Sequence, residues 1–232
     1  MPERNGVLSL VRGAARFLRS VPRRLRGRES VFTSIYRTNG WASQESVSGQ
    51  GSELRETRVV RAALPLLLAR HGVDSMLDIP CGDCNWIREI DFGGGGCDYI
   101  GGDIVADLVE RDQRAYGTHR RRFMHLDVVR DPLPRAGVVL CRDCMIHLSN
   151  ADVLEALRNI RRSGARFLLA TTYTARPANP DIVTGDWRPI NLQAAPFSLP
   201  APLELLSEEW DWADGFHADK CLGLWDTRVL PA

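Results

Sequence analysis

Short apolar runs that alternate with amphipathic segments constrain the fold of this chain more than any other feature of its sequence. Five runs fit buried strands, at residues 75–79, 97–103, 122–127, 137–141 and 166–172. Between them, helical spacing of apolar residues predicts helices at residues 84–90, 105–116 and 150–162. Strands that alternate with helices favour a parallel sheet with helices on both faces. We therefore predict an α/β fold.

The segments around this core are less regular. A helix is predicted at residues 53–70 and a closing strand at 221–229, while 203–210 fits either a strand or a helix. Residues 174–202 contain six prolines, which predicts a long insertion on the substrate side after the fifth strand. Residues 30–52 are polar and rich in serine and glycine, as is typical of a lid over a site or of a surface linker.

Length and charge narrow the class of protein. The 232 residues, 44% hydrophobic and 25% charged, are enough for one soluble domain with a short appendage. The net charge is +1, but residues 1–28 hold eight arginines and one glutamate, which leaves the rest of the chain negative. A negative main domain argues against a nucleic-acid partner.

The N-terminal segment, residues 1–28, has apolar residues at helical spacing between its arginines. Such a basic amphipathic helix can make peripheral contact with an anionic membrane surface; a basic tail and a helix packed on its own domain are the alternatives. The remaining residues, 29–232, are expected to form one domain, with the cofactor half at about 53–173. Six cysteines without a convincing secretory signal indicate a reduced, cytoplasmic protein.

Polar residues follow four of the predicted strands. Asp78, Asp103 and Asp127 stand at the ends of the first three strands, and the fourth is followed by the segment 141–147. Ligands of open α/β sheets bind at this carboxyl edge, and a carboxylate such as that of Asp103 can accept the hydroxyls of a ribose. Gly82 alone stands where the dinucleotide fingerprint needs three glycines. This favours a nucleoside over a pyrophosphate and makes a nicotinamide dehydrogenase the less favoured class.

Residues 76–173 resemble the class I S-adenosylmethionine-dependent methyltransferases. The motifs that carry the resemblance are LDIPCGD (77–83), YIGGDI (99–104), FMHLDVVRDPLP (123–134) and CRDCMIHLS (141–149). More loosely, residues 45–52, 184–192 and 219–225 resemble a small bacterial group associated with glycans or secondary metabolites. The resemblance implies a Rossmann-like, seven-stranded, mostly parallel sheet and S-adenosyl-L-methionine as the cofactor.

The resemblance also implies the contacts of that cofactor. Asp103 would hold the ribose, Ile104 would pack on the adenine, and Asp127 with Val128 would meet its amino edge. The residues expected near the methionine end are Asp78, Pro80, Cys81, Gly82, Asp83 and Arg142. Pro80-Cys81 and Asp83-Cys84 depart from the family pattern, which often has a further glycine there.

Two residues after the fourth strand are candidates for catalysis. His147 is the candidate general base, because a hydroxyl acceptor needs its proton removed. Asp143 lies four residues earlier, so on a helix the two side chains would share one face and could form a pair. The alternative is that His147 only packs or caps. Candidate substrate contacts are Trp41, Trp187, Arg188 and Asn191, with a structural corner in the proline-rich loop as the alternative.

Cys81–Cys84 and Cys141–Cys144 form two C-x-x-C pairs, which in other contexts indicate zinc or a disulfide. Because their separation is far from zinc-ribbon spacing, we expect no metal. We predict a methyltransferase that acts on a hydroxyl of a small molecule, sugar or lipid-linked glycan. An N-methyltransferase of a small molecule or protein side chain and a non-catalytic nucleoside-binding module of the same fold are the alternatives.

Overall fold

A seven-stranded sheet forms the centre of the molecule. The computed structural model describes residues 27–92, 96–210 and 215–232. The strands, in chain order, are β1 (Ser75–Asp78), β2 (Asp98–Asp103), β3 (Arg121–His125), β4 (Val138–Cys141), β5 (Phe167–Tyr173), β6 (Glu204–Ser207) and β7 (Lys220–Asp226). Their order across the sheet is β3-β2-β1-β4-β5-β7-β6. β7 runs antiparallel to both neighbours, and the other pairs are parallel.

Four α-helices lie in the described part of the chain: α1 (Arg28–Arg37), α2 (Arg58–Arg70), α3 (Ala106–Tyr116) and α4 (Asn150–Arg162). The side chain of Ser149 caps α4 by accepting a hydrogen bond from the backbone N–H of Asp152 at 3.2 Å. None of the helices in residues 27–92, 96–210 and 215–232 is long and apolar enough to span a membrane.

The core consists of two layers, one on each face of the sheet. On β4, Val139 packs into the layer that α4 covers, whereas Leu140 packs into the layer that α2 and α3 cover. This alternation follows from the two-residue period of side chains along a strand. Both residues are fully buried. The predicted α/β architecture with helices on both faces is confirmed.

The structure corrects three of the predicted elements. Residues 30–37 belong to α1 and not to a loop, because Val31 and Ile35 are buried one helical turn apart. The predicted helix at 84–90 is only a 3-10 turn, Ile87–Glu89, since Cys84 has a left-handed φ of 56°. The last predicted strand ends at Asp226, three residues early, in a second 3-10 turn. The predicted helix within residues 1–28 lies outside the described residues, apart from Gly27 and Arg28.

Residues 174–203, after β5, form a long loop that is anchored in the core. The side-chain amide of Asn179 donates hydrogen bonds to the backbone oxygens of Asn191 and Ala195, both at 2.9 Å. Ile190 and Leu192 from the same loop are fully buried. These anchors fix the loop over the carboxyl edge of the sheet.

We expect the two-sided core to make β4 far more sensitive to truncation than the edge strand β6. Leu140→Ala should lower the free energy of unfolding by about 2–5 kcal/mol, because it opens a cavity in a fully buried layer. Leu205→Ala is the matched control, since Leu205 on β6 is 46% exposed. Urea unfolding curves of both variants measure the difference, and an equal loss of stability in the two would contradict this account of the core.

Candidate functional site

A cavity of about 500 Å³ lies at the carboxyl edge of the sheet. Its volume is in the range of small-molecule sites. Thirteen of the sequence-predicted site residues line it: Trp41, Asp78, Pro80, Cys81, Gly82, Asp103, Ile104, Asp127, Val128, Arg142, Asp143, His147 and Trp187. Asp83, Arg188 and Asn191 do not.

At one end of the cavity, Asp103 is held in a fixed orientation. Its Oδ2 accepts a hydrogen bond from the backbone N–H of Gly82 at 3.1 Å, and its Oδ1 accepts one from that of Val105 at 2.9 Å. Burial raises the pKa of Asp103 to about 6. Gly82 has a φ of 56°, and a Cβ at this position would collide with the hydroxyl of Ser48. Glycine is therefore required where the chain turns from β1 into the cavity.

Asp78 lies at the end of β1 beside Asp103. Its Oδ2 accepts a hydrogen bond from the hydroxyl of Tyr99 at 2.8 Å. Burial raises the pKa of Asp78 to about 7, although this bond and the positive charge of Arg142 oppose the shift. Tyr99 was missed by the sequence analysis, since a tyrosine in a strand resembles any other core residue.

Helix α1 covers the cavity near Asp127, a contribution that the sequence analysis also missed. Arg28, Phe32 and Tyr36 line the cavity from one face of this helix. The guanidinium of Arg28 pairs with Asp127 at 2.8 Å and with Asp152 at 2.9 Å. Asp127, expected at an adenine edge, is thus already one partner of an ion pair. The four-residue spacing of these three side chains was the signal in the sequence.

The polar segment of residues 43–54, called the strap below, forms another wall. Asp83 holds it: the carboxylate accepts hydrogen bonds from the Ser46 hydroxyl at 2.9 Å and from the backbone N–H of Val47 at 3.0 Å. Asp83 therefore positions the strap, which corrects the expectation that it faces the cofactor. Arg142 donates a hydrogen bond to the backbone oxygen of Gly51 at 2.7 Å.

Four charged side chains form a buried network at the far end of β4. Arg142 pairs with Glu208 at 2.6 Å. Lys220 contacts Asp143 at 2.8 Å and Glu208 at 3.3 Å. Burial alone would raise the pKa of Asp143, but Lys220 and Arg142 lower it to about 2, so this carboxylate remains an anion. Glu208 was not predicted. Lys220 stands in the segment 219–225 that the sequence analysis singled out, but no sequence motif linked it to the segment after β4.

His147 lies in the 3-10 turn Met145–His147 and not on a helix, so the predicted shared helix face with Asp143 is wrong. Asp143 itself has a left-handed φ of 52°. Nδ1 of His147 lies 2.9 Å from the backbone oxygen of Asp186. Since a carbonyl only accepts, Nδ1 carries the proton and Nε2 keeps its lone pair. The ring of Trp41 packs on the imidazole, with the centroids 4.2 Å apart.

Burial lowers the pKa of His147 to about 4, while the Asp186 carbonyl and the negative charge of Asp143 oppose this shift. The imidazole is therefore neutral at neutral pH. A proton that arrives at Nε2 would be stabilised by the anionic Asp143. The arrangement suits a base that accepts a proton only during a reaction.

Solved structures of several methyltransferases share this arrangement of strands. Human N-acetylserotonin methyltransferase, in complex with S-adenosylmethionine, is 14% identical over 87% of this chain and 60% of its own, with a TM-score of 0.58. The methyltransferase domain of bacterial CtHen1 is 14% identical over 78% of this chain and 100% of its own, with a TM-score of 0.56. An O-methyltransferase family protein from Burkholderia thailandensis is 13% identical over 75% and 56%, with a TM-score of 0.52.

The fold is that of the S-adenosylmethionine-dependent methyltransferases. The chain spans about three fifths of the length of the human enzyme. No protein-family model matches the chain, and the search of curated proteins found no match. The identities are low, so the similarity identifies the methyltransferase fold, and activity must be inferred from the site.

On this methyltransferase fold, the long loop after β5 presents only one of its three predicted substrate contacts to the cavity. Trp187 lines the cavity and is 40% exposed. Arg188 is buried and donates hydrogen bonds to the backbone oxygen of Met145 and to Asn150, at 2.9 and 2.8 Å. Asn191 donates a hydrogen bond to the backbone oxygen of Arg176 at 2.8 Å. This placement makes Arg188 and Asn191 loop anchors, which corrects the expectation that they face a substrate.

The cysteines of both C-x-x-C pairs are buried, free thiols: Cys81, Cys84, Cys141 and Cys144. Burial raises the pKa of Cys81 and of Cys84, which keeps these two groups protonated. Within the described part of the chain, no group of three or more histidine, cysteine or acidic side chains is arranged to hold a metal ion.

The raised pKa of Asp78 predicts a pH dependence of stability. An unfolded aspartate has a pKa near 3.8 and the buried one about 7, so between these values the folded state binds more protons. Stability should therefore fall as the pH rises through this window, by up to about 1.4 kcal/mol per pH unit from this group. Asp78→Asn should gain stability relative to the wild type from pH 5 to pH 8.

Chemical denaturation of the cofactor-free protein at several pH values measures this gain. Asp107→Asn is the control, because Asp107 is 53% exposed on α3 and should not change the slope. A constant difference between Asp78→Asn and the wild type across this range would contradict the assignment.

Proposed function

We propose that the protein is an S-adenosylmethionine-dependent methyltransferase that acts on a hydroxyl of a small molecule. The observation that carries the proposal is the position of His147. Its neutral imidazole keeps the Nε2 lone pair and lines the same cavity as the fixed carboxylate of Asp103. A carboxylate suited to a ribose and a proton acceptor thus line one cavity, and this supports methyl transfer to a hydroxyl.

The residues present fit the cofactor. Asp103 keeps acceptor capacity on both oxygens beyond the two backbone bonds that orient it, and this suits the two hydroxyls of a ribose. The left-handed φ of 56° at Gly82 turns the chain beside Asp103, so that the backbone N–H of Gly82 reaches Oδ2 of that carboxylate. Ile104, Leu126 and Val128 line the cavity beside it and offer apolar surface to an adenine ring.

When bound, S-adenosylmethionine would supply a methyl group on a positively charged sulfur to the acceptor oxygen and would leave as the neutral thioether S-adenosylhomocysteine. Nε2 of His147 would take the proton of the acceptor hydroxyl. Asp143 would stabilise the resulting imidazolium, and Lys220 and Arg142 keep Asp143 ionised for this purpose. The strap and α1 cover the cavity and limit the access of water.

The named relatives support a small-molecule acceptor. By its name, human N-acetylserotonin methyltransferase acts on a compound of that kind, and the Burkholderia thailandensis protein is described as an O-methyltransferase family protein. The basic segment that precedes α1 is proposed as a site of peripheral membrane contact. The catalytic domain then begins with α1, because Arg28 pairs with Asp127 and Asp152.

The proposal is tested by methyl transfer from labelled S-adenosylmethionine to panels of phenols, sugars and amines. We expect O-methylated product and, for His147→Gln, a fall in kcat of about 100-fold or more. The affinity for S-adenosylhomocysteine should change by less than about threefold, because His147 acts on the acceptor. His119→Gln, at an exposed histidine, is the matched control and should retain full activity.

Two outcomes would contradict this proposal. Methylation confined to the amines would replace it with N-methyl transfer. Binding of S-adenosylhomocysteine without turnover of any panel member would favour a non-catalytic nucleoside-binding module.

A further inference from the structure

Five aromatic side chains surround the end of the cavity that is farthest from Asp103 along the sheet. They are called the aromatic rim below: Tyr173, Trp187, Trp210, Phe216 and His217. Their ring centroids lie 4.9 to 6.5 Å apart in a connected cluster. The rim draws on four parts of the chain: β5, the long loop after it, the segment that ends at Trp210 and the segment that precedes β7.

The rim is open to the solvent on one side. Trp187 and Phe216 are each 40% exposed, whereas Tyr173 is 1% and Trp210 is 8% exposed. Large aromatic side chains that remain exposed at the mouth of a cavity usually mark a binding surface. Trp187 therefore does not simply anchor its loop in the core.

The polar groups next to the rim are already paired with one another. Tyr173 and Nδ1 of His217 share a hydrogen bond of 2.8 Å. Lys220 pairs with Asp143 and Glu208, and its Nζ lies 3.9 Å from the centre of the Trp210 ring. Arg176 pairs with Asp219 at 3.1 Å and stacks on Phe216 at 4.4 Å.

Because these polar groups are already paired, they have few hydrogen bonds to offer a polyhydroxylated acceptor. Each sugar hydroxyl that enters a site without a new partner loses its bonds to water, at a cost of about 1–3 kcal/mol. A flat aromatic molecule has no such cost on its faces and gains contact with the exposed rings of Trp187 and Phe216.

The rim is connected directly to His147. Trp187 follows Asp186, whose backbone oxygen fixes Nδ1 of the imidazole. The backbone of the same loop is bonded to the His147 turn on both sides, through Gly185 N–H to His147 O at 2.8 Å and Arg188 N–H to Ile146 O at 3.0 Å. These hydrogen bonds fix the position of Trp187 relative to His147. An acceptor that stacks on Trp187 is therefore held at a defined position relative to Nε2.

We propose that the acceptor is a planar aromatic compound with a phenolic hydroxyl, stacked at Trp187 and Phe216 with its hydroxyl at Nε2 of His147. This inference deepens the proposed function and rests on it, and it selects a phenol over the sugar or glycan hydroxyl. The phenol oxygen gains the methyl group, and its proton passes to Nε2.

The acid–base chemistry agrees with this choice. A phenol has a pKa of about 10, whereas a hydroxyl as weakly acidic as water has one of about 15.7. Because burial lowers the pKa of His147 to about 4, this base is better matched to the phenol.

Calorimetric binding of 2-naphthol to the protein saturated with S-adenosylhomocysteine tests the inference. We expect saturable binding at one site, at least tenfold weaker in Trp187→Ala and within about threefold of the wild type in Trp187→Phe, which keeps an aromatic face. Methyl α-glucopyranoside, the contrasting probe, should not bind measurably. Unchanged urea unfolding of both variants excludes a folding defect as the cause.

The inference is overturned if 2-naphthol does not bind, if the glucoside binds more tightly than 2-naphthol, or if Trp187→Ala binds 2-naphthol as the wild type does. In each case, intact binding of S-adenosylhomocysteine leaves the proposed function standing. Loss of that binding in the wild-type protein would instead count against the proposed function itself.

Discussion

The buried network of Arg142, Asp143, Glu208 and Lys220 joins the parts of the molecule on which the site depends. Arg142, Glu208 and Lys220 are buried and Asp143 is 21% exposed, and charges withdrawn from water in this way are tolerated only if each has a partner. Arg142 and Asp143 leave the end of β4, Glu208 follows β6, and Lys220 begins β7. The antiparallel end of the sheet is thereby fixed against its parallel half.

The same network carries the chemistry of the site. Arg142 also bonds to the backbone oxygen of Gly51, so the strap is attached to the strand that leads to His147. A Cβ on Gly51 would lie 2.7 Å from Oδ2 of Asp143, which shows how closely the strap approaches. Lys220 holds Asp143 as an anion, and this anion favours a proton on His147. The same charged network thus holds the walls of the cavity in place and stabilises the protonated form of His147.

Local sequence patterns were sufficient to predict the strands, but they did not predict the contacts within the charged network. The first five strands were predicted from short apolar runs, and on β4 such a run fills two buried layers. Asp78 and Asp103 were predicted because parallel strands bring their carboxyl ends to one edge. Glu208 lies 66 residues from Arg142 and Lys220 lies 77 residues from Asp143, both partners just after β4. Local periodicity carries no information about contacts at such separations. The helical pairing of Asp143 with His147 failed because the backbone at Asp143 is left-handed.

We propose that the carboxyl edge of this sheet holds the nucleoside of S-adenosylmethionine, and calorimetric binding of S-adenosylhomocysteine is the test of this site. We expect one site per chain and a loss of about tenfold or more in affinity for Asp103→Asn, which removes a charged acceptor from the ribose. Asp98→Asn, at the exposed start of the same strand, should bind as the wild type does. Absence of binding, or equal binding by all three proteins, would contradict the account.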